Sequence, residues 1–321
     1  MDFSLLLDNL TNPALLFFFL GILAVQLKSD LEIPKNSSKF ISLYLLLSIG
    51  FKGGQELSHS VFSMEIAWGL LFGIFLAITV PLYTYFILRR KFSVSNSGAI
   101  AASYGSVSAV TFVTAISFLE MKQIEFGGHM VAVMALMEAP SIIVGVLLIA
   151  YFEKNRECEF SIPNVIKHSV TNGSVLLILG SLFIGFMAND QQAEGIKPFT
   201  TDLFKGFLAV FLLDMGITSG KKLADLIKKG WFALGFAIVI PLINGSIVAI
   251  SSSMFSSSDG DRFLFAILAA SASYIAVPAA MQLAAPKANP SLYLPMALAI
   301  TFPFNITLGM PLYLGLVEFY P

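Results

Sequence analysis

Ten apolar stretches follow one another along this chain with little between them, and each is close to the length that crosses a bilayer. They lie near residues 12–27, 38–55, 65–88, 95–118, 126–152, 173–188, 199–219, 231–253, 262–284 and 292–317. Lipid offers no partner to a backbone N–H or C=O, so a stretch that crosses it must satisfy its own groups as a helix. The fold class read from this succession is an all-α membrane protein with ten transmembrane helices. Charge agrees with that reading. Only 12% of the 321 residues are charged, about half the share usual in a soluble domain. The mean hydropathy is +0.82. No soluble domain is expected, and only the connection at 153–171 is long enough to hold structure of its own.

Several function classes drop out on residue usage. The single cysteine, Cys158, excludes an internal disulfide, and no CxxC or zinc spacing exists. His59, His129 and His168 are too scattered to suggest a metal site. No basic patch carries interleaved aromatics, so nucleic acid is not an expected partner. No nucleophile–base pair or phosphate loop is visible, so an enzyme is not expected. The acidic N-terminus (Asp2, Asp8), with no Lys or Arg before the first stretch, argues against a cleavable signal peptide.

Orientation follows from basic residues in the short loops. The odd-numbered connections hold fourteen Lys and Arg, the even-numbered ones only Lys122, Lys197 and Arg262, and the termini none. Both termini are therefore expected outside the plasma (inner) membrane, with 153–171 as a cytoplasmic linker. The same alternation checks the count of ten, since one missed helix would scramble it.

The chain also repeats itself. Leu47-Ser48-Ile49-Gly50-Phe51-Lys52-Gly53-Gly54 matches Leu213-Asp214-Met215-Gly216-Ile217-Thr218-Ser219-Gly220, and Ala77–Leu82 matches Ala237–Leu242. The fourth and ninth stretches share an Ala-Ala-Ser opening, at Ala101 and at Ala269. Pro140 with Gly145 in the fifth parallels Pro303 with Gly309 in the tenth. Four matches in one order at a nearly constant offset indicate duplication. Five helices per half is odd, so the second half enters the membrane from the opposite side as a five-plus-five inverted repeat.

The fourth and ninth stretches carry Ala101-Ala102-Ser103-Tyr104-Gly105-Ser106-Val107-Ser108-Ala109-Val110-Thr111 and Ala269-Ala270-Ser271-Ala272-Ser273-Tyr274-Ile275-Ala276-Val277-Pro278. Small hydroxyl residues with Gly or Pro are poor material for an unbroken helix. Both stretches are predicted to be discontinuous helices crossing near the midplane, where paired breaks point to a carrier's substrate site. A restarting half-helix presents unpaired N–H groups and the positive end of its dipole, which suits an anion. Ser103, Ser106, Ser108, Thr111, Ser271 and Ser273 can add hydroxyl hydrogen bonds, and freed carbonyls can hold a cation such as Na+. The same small residues also serve close helix packing, and a single serine decides little. Among charged residues inside the stretches, Glu138 can accept a cation, a proton or a helix-pairing bond, and Asp214 and Lys52 can pair or face the substrate path. For Lys52 the favoured reading is that it stands near a stretch end, where its long side chain reaches water. Lys205 and Glu120 read as interfacial or solvated, and Asn305 as a partner for freed backbone beside Pro303.

These residues resemble the SbtA-type sodium-dependent bicarbonate transporters, best known from cyanobacteria, over nearly the whole length. The likeness is clearest in Tyr104–Thr111, Phe118-Leu119-Glu120, Leu136-Met137-Glu138-Ala139-Pro140, Ile49–Gly54, Ala269–Ser273, Ala288-Asn289-Pro290-Ser291 and Pro311–Gly315. The resemblance implies a fold like that of bile-acid-symporter-type carriers, with a gate domain (1–63 and 172–227) and a core domain (64–152 and 228–321). It implies a homotrimer, and a PII-like regulatory partner that the short connection at 153–171 speaks against. It puts the bicarbonate and sodium sites at the crossing of the fourth and ninth stretches. Carried onto this chain, Ser103, Tyr104, Gly105, Ser106, Val107, Ser108, Ser271, Ser273, Tyr274 and Ile275 are the expected substrate-binding residues. Thr111, Glu138 and Ala276 are those expected for cation binding or coupling. The family pattern carries an acidic residue at Tyr274, Ser and Gly at Ala276 and Val277, Gly and Ser at Ala109 and Val110, and a neutral residue at Lys52. The expected function is secondary transport of bicarbonate or a similar small anion by rocking of core against gate, with no cofactor beyond Na+. A proton-linked or uncoupled carrier of another small organic anion is the second expectation, and a non-transporting receptor whose pocket Tyr274, Ala276 and Val277 have closed is the third.

Overall fold

A computed structural model describes residues 9–59, 63–153, 171, 173–227 and 230–320, and among them there is helix but no strand. The helices are α1 (Pro13–Gln26), α2 (Lys35–His59), α3 (Met64–Leu88), α4 (Val94–Gly105), α5 (Ala109–Lys122), α6 (His129–Phe152) and α7 (Gly173–Met187). They continue with α8 (Asp190–Lys197), α9 (Phe204–Ile227), α10 (Trp231–Ser251), α11 (Asp259–Ala270) and α12 (Ala276–Ala284). A last run, Pro290–Phe319, ends the chain. Six helical runs are long and apolar enough to cross a membrane, and α1 and α7 are shorter apolar helices. The chain is a multi-pass membrane protein. Its 153–171 connection lies almost wholly outside the described residues.

Local chemistry sets the ends and kinks. Asn12 accepts from the Ala14 N–H with Pro13 at the first helical position, where its missing N–H costs nothing. Ser63, Ser93 and Ser258 cap α3, α4 and α11 in the same way. Gln123 ends α5 in the left-handed region (φ 58). Pro81, Pro140 and Pro241 lie inside α3, α6 and α10, where each removes one backbone bond. In the last run, wide π turns at Met296–Thr301 and Asn305–Gly309 absorb Pro295 and Pro303.

Helices α1 and α9 pack as one pair, and α2 and α7 as another. Both contacts are backbone on backbone. A Cβ on Gly216 would overlap the Phe18 carbonyl, and one on Gly21 the Leu213 carbonyl. In the other pair a Cβ on Gly54 would overlap the Leu182 carbonyl, and one on Gly185 the Phe51 carbonyl. Small residues let apolar helices approach this closely, and dispersion then does the holding. Helices α3, α4 and α6 pack together, as do α10, α11 and Met310–Phe319.

Replacing Gly216 by Val forces the α1–α9 pair apart. The expected cost is about 1–3 kcal/mol or more, read as a lower melting temperature in detergent. Gly195→Ala, at a glycine with open space around it, serves as the control and is expected to leave melting nearly unchanged.

Candidate functional site

Both expected breaks are present. Helix α4 stops at Gly105, Ser106 turns extended (φ -85, ψ -178), and Ser108 (φ -98, ψ 106) caps α5, its hydroxyl accepting from the Thr111 N–H at 3.2 Å. A Cβ on Gly105 would strike the Pro81 ring, so the end of α4 fits against the kink of α3 only as glycine. Helix α11 stops at Ala270, Ser271 turns extended (φ -84, ψ 168), and α12 restarts at Ala276. Ser273 Oγ takes the capping role there, accepting from the Val277 N–H at 3.4 Å.

The two breaks touch. The Ser273 N–H donates to the Ser103 carbonyl at 2.8 Å, and the Ser108 N–H to Ser271 Oγ at 3.1 Å. Ser103 Oγ donates to the Ser273 carbonyl. Carbonyls at the half-helix ends accept from side chains of neighbouring runs. The Ala102 carbonyl accepts from Ser141 Oγ at 2.8 Å, and the Ala270 carbonyl from Asn305 Nδ2 at 2.8 Å. Asn305 thus does what the sequence suggested. Ser141 was missed, although it follows Pro140 much as Asn305 follows Pro303. That parallel was the available signal.

A cavity of about 30 Å³ lies against the crossing, room for a water or two. Val107, Ser108, Glu138, Ser273, Tyr274, Ile275 and Ala276 line it, so seven of the thirteen expected site residues come together there. Leu46 of α2 with Ser174 and Ile178 of α7 form the opposing wall, and Met134 and Ala135 flank Glu138. These apolar wall residues carried no signal, because nothing separates them from lipid-facing residues in the sequence. The helix starts at Ser108 and Ile275 both border this one space, which brings two positive dipole ends to it.

The remaining expected residues sit off the cavity. Ser103 and Ser271 are used in joining the breaks. Tyr104 turns away, its hydroxyl 2.7 Å from Thr301 Oγ1 and its ring 5.0 Å from that of Phe236. Gly105 faces Pro81. Ser106 Oγ and Thr111 Oγ1 are buried with no hydrogen-bond partner, which is unusual for buried hydroxyls. Oxygen groups suit a hard cation such as Na+. Those two unpartnered hydroxyls are oxygen groups of that kind, and so is the carboxyl of Glu138, which lines the cavity. Tyr274 adds bulk without charge. Its ring lies 6.2 Å from that of Phe302, and its hydroxyl is 3.9 Å from Met215 Sδ on α9.

Two charged residues have other partners than expected. Lys52 does not meet Asp214; its Nζ lies 2.5 Å from Glu120 Oε1, so Glu120 is an ion-pair member rather than a solvated cap. Asp214 instead accepts from Ser38 Oγ. His129 is buried, 3.7 Å from Asp261 Oδ2. No cluster of three or more His, Cys, Asp or Glu able to hold a metal occurs among the described residues.

The family model described as the Na+-dependent bicarbonate transporter superfamily matches residues 13–318, almost the whole chain. No curated protein matches the chain with significant similarity.

Replacing Asn305 by Leu leaves the Ala270 carbonyl unpaired in an apolar interior. The expected loss is about 1–3 kcal/mol, measured as a lowered melting temperature of the detergent-solubilised protein. Ser141→Ala is expected to lose less, because the Ala102 carbonyl keeps the Ser106 N–H at 3.0 Å.

Proposed function

The chain belongs to the Na+-dependent bicarbonate transporter superfamily, and on that premise we propose that it carries bicarbonate or a similarly small anion across the membrane by alternating access. The observation that carries the proposal is the pair of helix starts bordering one cavity between interlocked breaks. N–H groups at the starts of α5 and α12 hold the anion, with the hydroxyls of Ser108 and Ser273 beside them. Tyr274 and Val107 shape the space.

We propose ten membrane-spanning helices in a five-plus-five inverted repeat. The Gly50–Ile178 and Gly216–Phe18 contacts support it, since Gly50 and Gly216 hold the same place in the matched segments and each brings its helix onto a backbone carbonyl of the paired one. So do the matching roles of Ser141 and Asn305. Helices α1, α2, α7 and α9 with their connections (1–63 and 172–227) are the gate. The rest (64–152 and 228–321) is a core that slides or rocks against it, carrying the crossing past the wall of Leu46 and Ile178. Loop charge puts both termini outside the plasma membrane. For a coupling cation, Ser106, Thr111 and Glu138 supply the oxygens.

Uptake of labelled bicarbonate by proteoliposomes tests this. Ser108→Leu removes the cap and fills the cavity, so uptake is expected to vanish while the protein still folds; full uptake in that variant would sink the site. Tyr274→Asp places a carboxylate beside the crossing and is expected to make uptake rise more steeply with Na+, and a flat response would count against this account of coupling. A second reading follows from the small cavity and the bulk of Tyr274: a membrane receptor, which would give saturable bicarbonate binding without flux.

A further inference from the structure

Helix α5 has 14 residues and is therefore about 21 Å long. Ser108 caps one end of it at the crossing. The other end carries Glu120, which meets Lys52 of α2 at 2.5 Å, the two side chains 26% and 28% exposed. Five further ion pairs each stay within one group of helices. They are His59–Asp190 in the gate, Lys197–Glu194 at the end of α8, and His129–Asp261, Arg262–Asp259 and Lys287–Glu153 in the core. Lys52–Glu120 differs from these five in joining the gate group to the core group. Next to it the backbones meet, since a Cβ on Gly128 at the start of α6 would overlap the Gly53 carbonyl.

The repeat makes this contact one-sided. The match of Leu47–Gly54 with Leu213–Gly220 sets Thr218 where Lys52 stands, and the Ala-Ala-Ser register sets Ala288 where Glu120 stands. Neither can form an ion pair. The neighbouring contact in that half is a neutral one, Ser219 Oγ donating to the Leu298 carbonyl at 2.9 Å. Two mirrored halves alone would give the two access states similar energies. A charge pair present on one face adds its free energy to one state only.

We propose that the Lys52–Glu120 ion pair is a one-sided latch that biases the carrier toward the state closed on the face bearing Glu120. The inference rests on the alternating-access reading above. Because Glu120 and the crossing are the two ends of one rigid helix, the core cannot move the crossing along the gate without drawing Glu120 away from Lys52. An anion arriving at the latched face then binds only the fraction of molecules already open, which lowers its apparent affinity there. A partly exposed pair has a modest effect, so the bias is about two- to fivefold, and added salt weakens it.

The test uses the full chain reconstituted in one orientation, with labelled bicarbonate offered to each face in turn. Lys52→Met and Glu120→Gln are each expected to lower the half-saturating concentration on the Glu120 face about two- to fivefold and to raise it on the opposite face. The exchanged pair, Lys52→Glu with Glu120→Lys, is expected to return toward the parent. Single variants with unchanged sidedness, or an exchanged pair no better than the singles, would overturn the latch. If Lys52→Met fails to fold, the near-isosteric Glu120→Gln decides alone. Parent vesicles without any flux would overturn the transport reading and the latch with it, whereas flux of unaltered sidedness removes the latch alone.

Discussion

The whole arrangement depends on how two interrupted helices satisfy their backbone without water. Each interruption frees several N–H and C=O groups, and each one left unpaired in an apolar interior costs kilocalories. Here the breaks supply one another. Ser273 meets Ser103 and Ser108 meets Ser271, so the two interrupted helices are fixed at the point where each is weakest. Ser141 and Asn305 take the carbonyls of Ala102 and Ala270 from outside. With that many bonds closing the crossing, the starts of α5 and α12 have little freedom, and the cavity between them is defined by the same bonds that stabilise it.

Much of this is written in the chain at the level of residue type. Apolar length marks the helices, and the clusters of Ser, Ala, Gly and Pro mark both breaks to within a residue or two. Those residues disfavour an unbroken helix whatever surrounds them. Asn305 was legible because an amide beside a proline inside an apolar run has few other uses. The partner of Lys52 was not legible. A long side chain reaches several ångströms along the membrane normal, and sequence register does not say which neighbour stands at that depth. Leu46 and Ile178 were hidden for a different reason, since a residue walling a cavity and one facing lipid can be equally apolar. Tyr104 misled by position. It belongs to the break in sequence, but its rotamer sends the hydroxyl to Thr301.

The two groups of helices are held in different ways. Gly54 with Leu182 and Gly216 with Phe18 bring backbones into contact, and such pairs allow almost no relative motion because a small shift meets hard atoms. Between α2 or α7 and the crossing the contact is made by Leu46, Ile178 and Tyr274 around a partly empty space. Elsewhere the two groups are tied together, by Asn9 Nδ2 donating to the Ile306 carbonyl, Ser219 Oγ donating to the Leu298 carbonyl and Lys52 meeting Glu120. In the proposed transport cycle these are the bonds that must change, while the glycine-packed pairs stay as they are.

The proposed anion site, built from helix ends, also suits release. Each helix start carries about half a positive charge, so two of them offset roughly one unit, the charge of a small monovalent anion. A buried Lys or Arg in the same place would need a counter-ion whenever the cavity stood empty, or would suffer the desolvation of an unpaired charge. Backbone dipoles carry no net charge, and their negative ends lie farther along the same helices. A site of this kind binds firmly enough to select and weakly enough to let go, which any conducting or carrying site must do. N–H groups alone offer nothing to a cation, so in the proposed site the oxygens of Ser106, Thr111 and Glu138 are the groups left to face a coupling ion. That division, N–H groups for the anion and side-chain oxygens for the cation, needs no buried Lys or Arg at the crossing.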